Sequence, residues 1–160
     1  MVISKTALLG LHACMHESLG IVMNHAASMP PDLLTRELAG FGQPTVRDQI
    51  AHVISTEAGW IRGLQLLSFQ RRDSATLTMD TLREIEKEVM AETVCYLESL
   101  TDDQLNTELD RYPAEWVGPP RTPGFIVLHV ITHAFHHKGQ IVAMMRLLGY
   151  PAPDTDMQRG

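Results

Sequence analysis

The sequence predicts an all-α protein, an antiparallel four-helix bundle with a long loop before its last helix. Apolar residues recur at helical spacing in four long segments, and no segment sustains the period-two alternation of a half-buried strand. Capping and helix-stopping residues punctuate those segments.

The first helix is read from Ile3 to about Ser28, with Leu8, Leu11, Met15, Leu19 and Val22 as its stripe. Met29-Pro30-Pro31 ends it, because neither proline can donate a backbone hydrogen bond. Thr45 caps the second helix, with Asp48 in the place of the capping-box glutamate. Its apolar residues are Ile50, Val53, Ile54, Trp60, Ile61, Leu64 and Leu67, and it is expected to fade near Arg71–Asp73. Thr78 or Asp80 opens the third helix, which carries Leu82, Ile85, Val89, Tyr96 and Leu100. Arg83, Glu84, Lys87 and Glu88 form its solvated face. An irregular connection then runs from Thr101 to Arg121 through Pro113, Gly118, Pro119 and Pro120, and connections of such length often shape a site. Thr122-Pro123 opens the last helix as cap and first turn, and Gly149 followed by Tyr150-Pro151 closes it.

The 160 residues suit one domain, spanning 1–160, with a core of its own. A composition 44% hydrophobic and 20% charged is that of an ordinary soluble domain. The net charge of −6 argues against a phosphate-backbone partner, so no nucleic acid is expected. No membrane span is expected either. The most apolar stretch, Phe125 to Leu148, is interrupted by four histidines and Lys138. The apolar run after Lys5 breaks at His12 and His16 without a leader-type cleavage site, which points to a cytoplasmic protein. Cys14 and Cys95 stand in no metal or redox spacing and read as reduced thiols.

Histidine carries the chemistry. Four of the eight histidines fall between positions 129 and 137. His133 and His137 are four apart, so their rings stack on one helix face, on the side of Ile126, Val130, Ile141 and Met144. Two imidazoles at that spacing can reach one metal ion. They can equally be a structural pair bonded to backbone or carboxylates, since a buried imidazole needs a partner. A third donor is available in His52, which shares a face of the second helix with Gln49, Ser55, Thr56, Gly59 and Gly63. That face either meets solvent or lines a polar cavity. Three neutral ligands from two helices would resemble a catalytic metal site, with positions left for water or substrate.

The chain resembles the DinB-like superfamily of four-helix metalloproteins. The resemblance is carried by Thr45-Val-Arg-Asp-Gln-Ile-Ala-His52, by Leu128-His-Val-Ile-Thr-His133-Ala-Phe-His-His137-Lys-Gly-Gln140, and by the closing Leu148-Gly-Tyr-Pro-Ala-Pro-Asp-Thr-Asp156. It implies metal ligands at His52, His133 and His137. His136 lies about 100° away around the helix, beside a ligand or on the surface, and His129 is the substitute one turn before His133. Lys138 stands where arginine is common in the family. A second pair, His12 and His16 on the first helix, reads as surface decoration, with a contribution to the pocket or a second, weaker site as the alternative. Glu57 and Glu17 are candidate proton-transfer or supporting carboxylates, each with an exposed salt-bridging role as the competing assignment.

What the resemblance implies about activity is a metal-dependent enzyme, foremost a transferase that activates a low-molecular-weight thiol against a small-molecule electrophile. A hydrolase using metal-activated water, or a non-enzymatic metal-binding stress protein, is the alternative. Zinc or nickel is the expected ion, iron or manganese the next choice, because imidazole suits several divalent ions. The resemblance also implies a homodimer.

Overall fold

The computed structural model describes residues 2–113, 116 and 122–157. Its long helices are α1 (Lys5–Ala26), α3 (Val46–Leu64), α4 (Met79–Ser99) and α6 (Pro123–Leu147). Short helices α2 (Pro31–Leu34) and α5 (Asp102–Asn106) lie in the connections, with a 3₁₀ turn at Ser74–Thr76. The described residues contain no strand. Gly118, Pro119, Pro120 and Arg121 of the expected loop lie outside the described residues. The start of that loop is α5, capped reciprocally by Thr101 and Gln104, and its Leu105 is fully buried.

Side-chain oxygens set the helix starts. Thr45 accepts from the Asp48 amide at 3.0 Å, Thr78 from Thr81 at 3.1 Å and Thr122 from Phe125 at 3.3 Å. Each satisfies an amide that the first helical turn leaves without a partner. The buried stripes meet in one core that includes Leu8, Met15, Ile50, Ile61, Leu82, Ile131 and Met144. By length and composition alone α1 could cross a bilayer, a correction to the expectation that no segment could. Its apolar face is instead spent on the core, along with His12 and His16. Burying it removes roughly 1.5–3 kcal/mol of exposure cost for each large apolar side chain.

The four long helices form a ring in the order α1, α6, α3, α4, so each packs on two neighbours. Gln49 meets Gln140 and Trp60 meets His129, so α3 and α6 are antiparallel. Lys5 reaches Leu100 and Arg83 reaches Asn24, so α1 and α4 are antiparallel too. By contrast α1 and α6 run together: Ile3 lies against Gly124 at one end, and Ser18 and His25 meet the segment after α6 at the other. It follows that α3 and α4 are parallel. The antiparallel packing expected from sequence is therefore found at two of the four seams. The segment 65–78 returns along α3, placing Phe69 against Gly59 and the 3₁₀ turn against the helix.

That return begins earlier than the sequence suggests. The expected fade near Arg71–Asp73 is replaced by an end at Leu64. Leu66 turns left-handed with φ 55°, the Leu66 amide donates to Gly63 at 3.0 Å, and Leu67 donates to Arg62 at 2.9 Å. The same Schellman pattern closes α6, where Gly149 takes φ 72° and Tyr150 donates to Met145 at 2.9 Å. Glycine announces the second turn, while leucine conceals the first. A left-handed leucine costs about 1–2 kcal/mol, partly offset in a glycine variant by the entropy of its unfolded chain. Leu66→Gly is therefore expected to raise stability by about 0.5–1 kcal/mol, read from the urea midpoint at unchanged slope.

Candidate metal centre

At the α3/α6 seam, His52 faces His133 and His137 one turn apart. His52 Nε2 lies 3.2 Å from His133 Nε2, and His137 Nε2 lies 3.0 Å from that same atom. Neighbouring ligands about 2.0–2.1 Å from one ion sit about 3 Å from each other. Two of the three donor pairs have that spacing, all three atoms lie within 4.8 Å of one another, and the three rings are half-buried.

Gln49, one turn before His52, sets the state of the cluster. It is fully buried. Its amide nitrogen donates to the Gln43 carbonyl at 3.1 Å and to Gln140 Oε1 at 3.0 Å. A backbone carbonyl can only accept, so the Gln49 oxygen must turn the other way, to His137 Nδ1 at 2.6 Å. That nitrogen therefore carries the proton, and Nε2 keeps its lone pair toward the other imidazoles. Electrostatics agree. Burial, with the His137 ring and then Arg71, lowers the His52 pKa to about 4. Burial and the surrounding histidines do the same for His133, to about 4. His137 is lowered by burial and by His136, against a raising bond from Gln140.

The remaining candidates separate cleanly. His136 is exposed, held by Gln140 at 2.9 Å, and turned out of the cluster. His129 is exposed beside Trp60 and its ring centroid lies 6.0 Å from that of His133, outside the convergent group. Glu17 is exposed on α1 and belongs to neither histidine group.

The reading of His12 and His16 as surface decoration is overturned, and so is the exposed role for Glu57. These side chains are 0%, 5% and 2% exposed and meet in the bundle interior. His12 Nε2 is 2.7 Å from Glu57 Oε1, and His16 Nε2 is 3.2 Å from Oε2. His16 Nδ1 meets Glu86, and Thr93 donates to Glu57 Oε1 at 2.7 Å. The surface reading fails because α1 buries the face on which this i,i+4 pair stands. Burial alone would raise the Glu57 pKa, but its bonds to His12 and His16 outweigh that and hold it at about 2. Burial would likewise lower that of His16, yet Glu57 and Glu86 raise it to about 9.

One turn past His52 along α3, a cleft of about 640 Å³ opens beside Thr56 and Trp60; His52, His133 and His137 are not among its lining residues. Thr56, one turn on from His52, lines it with a buried hydroxyl that has no protein partner among those residues. The Trp60 and Trp116 rings, 4.6 Å apart between centroids, form an aromatic wall. Gly63 admits the Trp116 ring and Gly59 the Phe69 ring, since a Cβ on either would press on it. The small-residue face seen in the sequence is thus explained by aromatic rings from loops. Gln49, Trp116 and Arg71 were not legible as site residues; only the i−3 spacing of Gln49 from His52 signalled its part.

Metal-free protein is expected to be most stable near pH 6.5–7. The depressed His52 and His133 are neutral when folded, so as pH falls from 6.5 toward 4 the unfolded chain binds more protons and stability drops. The raised His16 contributes stability in full below 6.5 and loses it as pH climbs through about 9. Urea denaturation at a series of pH values, in chelator, checks both limbs.

The chain is 21% identical over 145 residues to Protein DinB of Bacillus subtilis (strain 168), covering 84% of this chain and 82% of that protein. Its fold superposes on the crystal structure of a DinB-like protein from Bacillus cereus ATCC 10987 with a TM-score of 0.71 at 22% identity, covering 98% of this chain and all of the other. With the family model matching residues 8–160, the chain belongs to the DinB family.

Proposed function

We propose that this protein is a metal-dependent enzyme whose ion is held by His52, His133 and His137, and that it transfers a low-molecular-weight thiol to an electrophilic small molecule. The observation that carries the reading is the meeting of three Nε2 atoms, with the His137 lone pair aimed inward by Gln49, one helical turn from the Thr56 wall of a cleft. A divalent ion held by three uncharged imidazoles keeps its full charge and supplies Lewis acidity that favours ionisation of a thiol or water beside it.

The chain's own residues supply binding and orientation. Trp60 and Trp116 offer apolar faces to an unsaturated or aromatic substrate. Arg71 lines the cleft, and its charge is felt at His52, so it suits a carboxylate on the thiol or its acceptor. The Thr56 hydroxyl, without a partner among the described residues, can donate to a polar group of the ligand. Among the described residues that line the cleft there is no carboxylate or imidazole. A nucleophile that ionises readily, as a thiol with pKa about 8.5 does, fits such a wall better than water that needs a base to take its proton.

Untagged protein is expected to carry the ion and to conjugate a thiol from a panel to a chromogenic electrophile, with activity abolished by chelator and by His52→Ala or His137→Ala. Loss of the ion in neither variant would sink the ligand assignment. Cleavage of ester, amide or phosphate substrates without any thiol conjugation would replace the transferase with a hydrolase. Gln49→Ala frees the His137 ring from its fixed tautomer and is expected to weaken metal affinity by about 10–100-fold, measured by competition with a chromogenic chelator.

A further inference from the structure

A second donor cluster lies outside that centre. We infer that His12, His16 and Glu57 form a closed site for one divalent transition-metal ion, which ties α1 to α3 through the bundle interior. Their ligand atoms have the required spacing: His12 Nε2 to His16 Nε2 is 3.0 Å, His12 Nε2 to Glu57 Oε1 is 2.7 Å, and His16 Nε2 to Oε1 and Oε2 is 3.3 and 3.2 Å. Donors about 2.0–2.2 Å from a shared ion fall about 3 Å apart, and both carboxylate oxygens stand within reach.

Supporting contacts are of the kind that orient ligands. Glu86 accepts the hydrogen bond of His16 Nδ1–H, which leaves Nε2 to face inward, and the Thr93 hydroxyl donates to the Glu57 carboxylate. The metal-free arrangement is poorly matched. If both Nε2 atoms carry protons toward Glu57, two N–H groups crowd at 3.0 Å; if one is bare it accepts from the other ring, but its lone pair also stands 2.7 or 3.2 Å from a carboxylate oxygen. His12 Nδ1 lacks a partner among the described residues in either case and does not distinguish them. Charge is compatible with an ion. Among the described residues the ion pairs of Glu57 and Glu86 are with His12 and His16 alone, with no lysine or arginine, and a divalent cation would balance both carboxylates.

The two sites differ in character. The α3/α6 cluster offers three half-buried nitrogens, whereas this one offers two nitrogens and a bidentate carboxylate with almost no exposure. Four protein donors and no access describe a structural ion rather than a reactive one.

Zinc titration of untagged, chelator-stripped, ¹⁵N-labelled full-length protein tests this, read in long-range ¹H–¹⁵N spectra of the imidazole rings. The expected result is movement of the His12 and His16 Nε2 resonances to metal-ligated positions, with one further ion bound by elemental analysis. Unchanged His12 and His16 resonances in excess zinc would overturn the inference, whatever His52, His133 and His137 do. Those three report the other centre in the same spectrum. Glu57→Gln is expected to abolish the His12 and His16 response while leaving the other three intact; a response that persists would remove Glu57 from the ligand set and overturn the site as drawn.

Discussion

Much of this molecule depends on how imidazoles are buried at the α3/α6 seam. An imidazole taken out of water must give up its charge or find a partner for it, and it must place two different ring nitrogens. Gln49 resolves both requirements for His137. The Gln43 carbonyl fixes which end of its amide is the donor, and the other end then dictates the histidine tautomer. A glutamate at that position would have favoured a charged ring, and a leucine would have left Nδ1 unpaired. The neutral amide keeps the ring uncharged, with its lone pair directed at His133.

The interior on the other side of α3 obeys the opposite electrostatics. His52 and His133 are held below their ordinary pKa by burial among other imidazoles. His16 is held above it by two carboxylates. One helix therefore serves both environments: Gln49 and His52 face α6, while Glu57 faces α1 and α4. The separation follows from helix geometry. Positions 52 and 57 are five apart, about 500° of rotation, which puts their side chains on different sides of α3.

The chain path makes this arrangement possible. Because 65–78 returns along α3, helices α3 and α4 run in parallel, and the same segment brings Phe69 and Arg71 to the cleft wall. A tight hairpin after α3 would have left that wall open. Leu66 accepts a left-handed backbone to start the return, and its side chain also lines the cleft. The small residues Gly59 and Gly63 then admit aromatic rings where larger side chains would hold them off.

The sequence by itself determined the helical class, the cap at Thr45, the stop at Gly149 and the i,i+4 relation of His133 to His137. These are local consequences of 3.6-residue periodicity and of side chains bonding to their own backbone. It also supplied the family likeness that singled out His52, His133 and His137. Tertiary structure decided the rest. That His52 meets the other two, that His12, His16 and Glu57 are interior, and that α3 ends at Leu64 depend on residues distant in the chain or on a backbone angle that leucine does not advertise. Periodicity states which residues share a face. It does not state which faces turn toward one another, because that is settled by packing of the whole ring of helices.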